Sequence, residues 1–375
     1  MPITISADRN IYHLQDWLPD DVTLHTFEPS DGIPDLTDAD ALVVRTVSKI
    51  NRHTLHPVSK TLRFVGTASA GTDHIDIDYL ERQDIHFASA GGCNARAVAE
   101  YIGTSLILWG EHTGLDIHEH TVGIVGVGHV GSALAALFDE MHIEYVSYDP
   151  PREIREQSFT SATLDDVLNC DILTFHVPLT VSGQYATRHW LNADKLAGHT
   201  YDLVINASRG GVIDEDDLMK AMNQDRVGSS IIDVWENEPA FSSRMSRMAL
   251  LATPHIAGYS VQAKDNATRM MMEALAKTFE LPYDKHDLSG KQESQSITFS
   301  EDKTLGSLLT SINPILKYDE ELRSIAALPD AERADAFRKL RTDRPFREEY
   351  RMFSVDGDVC KRHPELRALG FRCLR

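Results

Sequence analysis

The stretch from His120 to Asp149, HTVGIVGVGHVGSALAALFDEMHIEYVSYD, limits what this chain can fold into more than any other. It reads in order as a strand, a glycine-rich turn, a helix, a second strand and an acid. Val122 to Val125 is a short apolar run. Gly126-Val127-Gly128-His129-Val130-Gly131 follows it, with three glycines at the spacing of a dinucleotide-binding turn. Gly126 permits the tight turn, Gly128 lets a pyrophosphate approach the backbone, and Gly131 lets the helix lie close on the strand. His129 and Val130 lie within this turn, and the helix that follows, Ser132 to Met141, starts with unpaired N–H groups that favour phosphate. Leu134, Leu137, Phe138 and Met141 recur at helical spacing and mark its buried face. Asp149 closes the second strand, where a carboxylate accepts hydrogen bonds from ribose hydroxyls and repels the 2′-phosphate of NADP. The unit predicts a Rossmann domain that holds NAD.

A chain of 375 residues is too long for one ordinary core, so two or three domains are expected. A net charge of −20 argues against nucleic acid or an anionic membrane as partner, since both reward a basic face. It also means that an anionic substrate needs a local cluster of arginine and lysine. No apolar run reaches membrane-spanning length, and MPITISADRN lacks the basic and apolar regions of a signal peptide, so a cytoplasmic enzyme is expected. Cys93, Cys170, Cys360 and Cys373 are scattered without metal-ligand or redox-motif spacing; reduced thiols and no metal site are expected.

Residues 1 to 93 read as a small α/β unit, with short strands at Ile3–Ile5, Thr23–Phe27, Ala41–Val44, Phe64–Gly66 and His86–Phe87. Two of these run straight into polar or small residues: Val44 into Arg45-Thr46-Val47-Ser48-Lys49, and Val65 into GTASAGTD. In an open α/β sheet such strand ends are where ligands bind. The second loop suits a carboxylate held by backbone N–H groups, or is a plain tight turn; Arg45 and Lys49 are the local positive charge sought above, or a solvated pair. From Asn94 a helix pattern leads into the dinucleotide unit, and strands and helices then alternate to about residue 256, the pattern of a doubly wound parallel sheet.

The strand ends of this second half carry the chemistry. Leu203–Asn206 runs into Ala207-Ser208-Arg209-Gly210-Gly211, Ile231–Val234 into Trp235-Glu236-Asn237-Glu238-Pro239, and Leu250–Ala252 into TPHIAGY. Hydride transfer from a secondary alcohol to NAD needs a group to take the hydroxyl proton, a cation to hold a neighbouring carboxylate, and a dry site. An imidazole exchanges protons near neutral pH, which fits His255 to the first task. Glu238 fits as its carboxylate partner, and Arg209 offers a planar fork for a carboxylate. Asp233 either accepts from a nicotinamide amide or has a capping or ion-pair role.

These residues resemble those of the D-isomer-specific 2-hydroxyacid dehydrogenases, through GVGHVG, Asp149, SRGG, WENEP and PHIAGY. ADALVVRTVSKIN, FVGTASAGTDHID, GCNARAVAEY, DILTFHVPL and HIAGY narrow the resemblance to a branch acting on a small phosphorylated 2-hydroxy acid, and it spans essentially the whole chain. It implies NAD-dependent oxidation of 4-phospho-D-erythronate, with Arg209, Glu238 and His255 as active-site residues. Relatives within reach are 3-phosphoglycerate dehydrogenases and, from another class, NADH-sensing binding proteins on the same fold.

By motif position, Arg45, Thr46, Thr67, Ala70, Gly71 and Tyr259 match substrate positions. The turn glycines with His129 and Val130, Asp149, Val177, Ala207, Ser208, Arg209, Asp233 and Gly258 match cofactor positions. Thr46 stands where the family usually has serine, which keeps the hydroxyl; Val177 stands where it has threonine, so a side-chain contact to NAD is lost. The resemblance also implies a flavodoxin-like substrate domain from residues 1–93 and 257–282, a Rossmann domain from 94–256, and a C-terminal α+β domain from 283–375 that makes a homodimer. Residues 284–300 read as a linker. Arg347, in RPFREEY, either reaches across the dimer and joins Arg45 on the phosphate or makes a surface ion pair.

Overall fold

The computed structural model describes residues 3–282, 294–299 and 303–374, and its contacts divide the chain into two compact units. Most of the expected linker 284–300 lies outside the described residues.

The first unit comprises residues 3–94 and 260–282. Its strands β1 (Ile3–Asp8), β2 (Val22–Phe27), β3 (Ala41–Val44), β4 (Phe64–Thr67) and β5 (His86–Ser89) form a parallel sheet in the order β2-β1-β3-β4-β5. That is the flavodoxin-like order. The central strands β3 and β4 are buried at every position, as strands covered on both faces must be. One face takes Met271, Met272 and Leu275 from the helix Val261–Phe279, together with Phe64; the other takes Leu42, Val44, Leu62, Leu80 and Ile85. A Cβ at Gly66 would lie 2.9 Å from the Met271 sulfur, so this helix lies close enough to the sheet to require glycine there.

The second unit comprises residues 95–259 with the C-terminal residues 294–299 and 303–374. Strands β6 (Val122–Val125), β7 (Tyr145–Tyr148), β8 (Ile172–Phe175), β9 (Tyr201–Asn206), β10 (Val227–Ile232) and β11 (Leu251–Ala252) are parallel throughout, ordered β11-β10-β9-β8-β6-β7. The strand order reverses between β6 and β8, which places the ligand crevice of a doubly wound sheet at their carboxyl ends. Helices Ala95–Thr113 and His129–Met141 cover one face through Tyr101, Ile102, Leu106, Leu134 and Phe138. Val125, Leu173 and Val204 face a second core with Trp190, Leu218 and Trp235.

The C-terminal segment is continuous with these two cores. Leu305, Leu308 and Leu309 join the core of the helix Ala95–Thr113, and Leu322, Ala326 and Phe337 join that of Trp235 and Phe241. Asp319 accepts from Ala252 N at 2.6 Å, and Arg323 donates to the Ala249 carbonyl at 2.8 Å, so the edge strand β11 is capped by side chains. By its contacts the segment groups with the second unit. Asn313-Pro314 separates the helices Leu305–Ile312 and Ile315–Ile325, because proline has no N–H to donate inside a helix. A small parallel sheet follows, β12 (Gln295–Ser296), β13 (Phe353–Val355) and β14 (Arg372–Cys373). Reduced thiols were expected throughout; instead Cys360 and Cys373, with Cα atoms 6.0 Å apart, form a disulfide, while Cys93 and Cys170 are free and buried. Burial pushes both free thiols up to about 11, which keeps them protonated and unreactive at neutral pH. Among the described residues no helix is long and apolar enough to cross a membrane.

Candidate active site

The glycine turn has the shape its sequence demands. Gly126 has φ +90°, and a Cβ there would lie 2.5 Å from Val177 Cγ1, so Val177 packs against the turn itself. A Cβ on Gly131 would meet the Gly126 carbonyl oxygen at 2.1 Å, which fixes the helix against the strand. At Gly128 an added Cβ would meet nothing within 4 Å: the space above it is open. This is the cradle that a pyrophosphate fills, with exposed His129 and half-buried Val130 at the start of a helix of 13 residues.

Asp149 caps the helix Pro150–Arg155 by accepting from Arg152 N at 2.9 Å, and its other oxygen accepts from Val127 N at 2.9 Å. Each carboxylate oxygen keeps a second lone pair for a ribose hydroxyl. Arg152 was not foreseen. Its guanidinium donates to the Val127 carbonyl at 2.6 Å and to Ser132 Oγ at 2.9 Å, bracing the turn. The residues present fit NAD.

Three strand ends build the reacting centre. At the end of β9, Asn206 accepts from Ser208 N and Oγ and donates to the Arg209 carbonyl at 3.0 Å, knitting Ala207, Ser208 and Arg209 into one turn. Arg209 in turn donates to the Ser208 carbonyl at 2.8 Å. Beyond it a Cβ on Gly210 would lie 1.7 Å from the Trp235 carbonyl oxygen, so the arginine loop and the glutamate loop are in backbone contact.

Glu238 Oε1 accepts from Trp235 N at 2.8 Å, and Oε2 lies 2.8 Å from His255 Nδ1. Burial alone pushes the Glu238 carboxyl up, but the charge and hydrogen bond of His255, the Arg341 guanidinium and Trp235 N bring it below the ordinary glutamate range. A carboxylate on Nδ1 fixes that nitrogen as the N–H and leaves Nε2 as the working atom. His255 itself has φ +57°, a left-handed backbone that is uncommon for a residue with a Cβ. Asp233 holds it there. Fully buried at the end of β10, it accepts from Thr253 Oγ1 at 2.6 Å, Ile256 N at 2.8 Å and Ala257 N at 3.0 Å. The role found for Asp233 is thus to fix the histidine loop, with both oxygens engaged by residues 253–257.

Two further groups reach this centre that the sequence did not disclose. Glu215 is buried and accepts from Glu236 N at 2.8 Å; burial, then Glu236, Asp216 and Glu238, push it up to about 7. Arg341 donates to Tyr259 Oη at 3.2 Å and lies 3.9 Å from Glu238 Oε2. Gly258 and Tyr259, which follow His255 on the same loop, are half-buried.

In the first unit the candidate substrate residues sit at the carboxyl ends of β3 and β4. Arg45 pairs with the buried carboxylate of Asp8 at 2.8 Å and remains 27% exposed, while Thr46 is exposed. Thr67 departs from the expectation of a substrate-facing hydroxyl. It is fully buried, and its Oγ1 lies 2.6 Å from Ser69 Oγ and 2.9 Å from His74 Nε2, so it staples the loop that carries half-buried Ala70 and Gly71.

Arg347 requires a plainer correction. Its side chain is 4% exposed and donates to Glu100 Oε2 at 2.8 Å and to the Ala97 carbonyl at 3.0 Å, inside the second unit. A guanidinium buried on its own glutamate is not available to a phosphate. Among the described residues no group of three or more His, Cys, Asp and Glu side chains is placed to hold a metal ion.

Residues 106–257 match the family model described as D-isomer specific 2-hydroxyacid dehydrogenase, NAD binding domain, which defines the class. Solved structures of that fold agree. An NADPH-dependent glyoxylate/hydroxypyruvate reductase from Sinorhizobium meliloti, in complex with NADP and malonate, superposes with a TM-score of 0.60 at 22% identity, covering 77% of this chain and all of that one (100%). D-Lactate dehydrogenase from Aquifex aeolicus, complexed with NAD and lactic acid, gives 0.57 at 20% identity, over 74% and 95% of the two chains.

Sequence similarity is closer to one branch. Proteins named erythronate-4-phosphate dehydrogenase are 36% identical in Marinobacter nauticus, over 98% of this chain and 99% of theirs, and 37% identical in Escherichia coli, over 93% of each. The chain belongs to the erythronate-4-phosphate dehydrogenase family.

Proposed function

We propose that this chain oxidises 4-phospho-D-erythronate to 2-oxo-3-hydroxy-4-phosphobutanoate with NAD, a step toward pyridoxal 5′-phosphate. The observation that carries this reading is the 2.8 Å bond between Glu238 and His255 in a chain similar over 98% of its length to enzymes of that name.

The chemistry follows from the groups in place. NAD, when bound, supplies the hydride acceptor, held by the Gly126–Gly131 turn and Asp149. Arg209 offers its fork to the substrate carboxylate and polarises the reacting carbon. His255 Nε2 takes the proton of the C2 hydroxyl as the C2 hydrogen leaves with its electron pair, and the carbon–oxygen bond becomes a carbonyl. Glu238, ionised, stabilises the imidazolium that results. By motif position, Tyr259 in the second unit and Arg45, Thr46 and the backbone of Ala70 and Gly71 in the first are each assigned to contacts with the phosphorylated substrate. The reading also includes a cytoplasmic homodimer formed through the C-terminal segment, where Leu316 and Leu374 are exposed at 48% and 47%.

NADH fluorescence with 4-phospho-D-erythronate, 3-phosphoglycerate and no substrate tests the assignment. Turnover of the four-carbon substrate is expected. Turnover of phosphoglycerate alone would assign a different dehydrogenase, and NADH binding without turnover of either would point to a sensing protein. Sedimentation velocity reads the oligomeric state, with a dimer expected.

A further inference from the structure

Arg341 lies in the last turn of the helix Asp330–Thr342, outside the segment that matches the family model, yet its guanidinium reaches the catalytic pair. The atom it approaches is Glu238 Oε2, at 3.9 Å, and this is the oxygen bonded to His255 Nδ1. At that distance it does not compete for the hydrogen bond. What it contributes is charge. Its second amino group donates to Tyr259 Oη at 3.2 Å, its carbon lies 5.9 Å from the centre of that ring, and its Nε is buried with no hydrogen-bond partner among the described residues. The guanidinium is therefore held by Tyr259 and by attraction to Glu238.

The other charged groups around Glu238 divide by sign. His255, on the loop after β11, favours the carboxylate. Glu215 on the helix Glu215–Met222 interacts with it as a like charge, and Asp233 at the end of β10 adds negative charge to the same neighbourhood. Arg341 is the cation that the C-terminal segment adds against them.

We infer that Arg341 is a positioning residue: its charge keeps Glu238 ionised against burial and the neighbouring acids, and so keeps His255 oriented with Nε2 toward the substrate. The pair works only while Glu238 is a carboxylate, because a protonated Glu238 no longer fixes the proton on Nδ1. Arg341 thereby sets how far into acid the enzyme continues to work.

The inference rests on the dehydrogenase reading and is tested with the full-length protein. kcat/KM for oxidation is measured from pH 5 to 9 for wild type, Arg341→Gln and Arg341→Lys, with thermal unfolding of each. Removing the cation raises the pH at which the Glu238–His255 pair as a whole takes up a proton, and in oxidation the pair has to be free of that proton for Nε2 to act as base. The acid limb of Arg341→Gln should move to higher pH by about half a unit to one unit, and Arg341→Lys should restore most of that shift. If Arg341→Gln does not fold, Arg341→Met removes the charge while keeping an apolar stem, and the same limb is read.

A uniform loss at every pH with an unmoved limb would overturn the inference and make Arg341 a packing residue. A rise in KM confined to phosphorylated substrates, again with an unmoved limb, would overturn it in favour of a substrate anchor. The limb can be read with whichever 2-hydroxy acid the wild type oxidises. Absence of turnover with all of them contradicts the dehydrogenase reading, whereas turnover with an unmoved limb contradicts only the role of Arg341.

Discussion

Asp233 and Thr67 both sit buried at the carboxyl end of a central strand, one in each unit, and each fixes the loop in front of it in a different way. Asp233 is a carboxylate with three donors, two of them backbone N–H groups, and it imposes a left-handed backbone on His255. Thr67 is a hydroxyl that shares one oxygen between Ser69 and His74 in a loop of small residues. Charge-assisted bonds are about twice as strong as neutral ones, and an unpaired buried backbone donor costs roughly 1–3 kcal/mol. The loop to which proton transfer is assigned is thus rigidly specified, and the loop assigned to recognition is held by weaker, exchangeable bonds. Reaction geometry tolerates little displacement, whereas a recognition loop has to accommodate a ligand.

The largest test of the contrast acts on the rigid side. His255→Gln keeps the size and a hydrogen-bonding group but cannot take a proton, so kcat should fall by about 10²- to 10⁴-fold with NAD affinity unchanged. Stopped-flow NADH formation and cofactor titration read the two quantities, and a fall of less than tenfold would place the base elsewhere. Asp233→Ala leaves Ile256 N and Ala257 N without their acceptor and should destabilise the second unit by about 2–5 kcal/mol in urea unfolding. A loss below about 1 kcal/mol would mean that the His255 loop holds its shape without Asp233.

Glu215 adds a pH signature to the same loops. Burial pushes Glu215 up to about 7 from the ordinary glutamate 4.5, so the native state binds the extra proton between those limits and stability falls as pH rises from about 4.5 to 7. The full effect is up to about 3 kcal/mol. Glu215→Gln keeps an acceptor for Glu236 N and should flatten that slope, seen as a melting temperature closer between pH 5 and pH 8 than in wild type. An unchanged slope would assign the pH dependence to other groups.

The smallest effect is expected on the recognition side. Thr67→Val should cost about 1 kcal/mol and raise KM severalfold with kcat nearly intact, whereas Thr67→Ser should restore wild-type KM. An equal loss of kcat would show that the two loops are not so different after all.

What could be read from the sequence follows the same division. The glycine turn, Asp149, SRGG and PHIAGY were legible because each encodes a local geometric demand: an approach to phosphate, a ribose acceptor, a tight turn after a strand. Asp233 was visible only as an acid near the site, since its partners lie 20 to 24 residues away and their convergence depends on the register of β10 with β11. Thr67 was marked as a substrate position only by the family resemblance, and its burial against Ser69 and His74 depends on the interior place of β4 in the sheet.

The C-terminal arginines show the limit most clearly. The resemblance singled out Arg347, but Glu100 on a distant helix pairs with Arg347 and Glu321 pairs with Arg344, while Arg341 lies beside Glu238. The Cys360–Cys373 bridge was equally hidden, because its partners meet only when β14 is laid beside β13.

In the proposed reaction the C2 hydrogen of 4-phospho-D-erythronate moves to NAD. The direct measurement is a single turnover with substrate deuterated at C2, followed by mass analysis of the nicotinamide product. One deuterium per NADH is predicted, with a slower burst than for the unlabelled substrate if hydride transfer limits it. NADH formed without deuterium, or no NADH from this substrate while another 2-hydroxy acid is oxidised, would contradict the account.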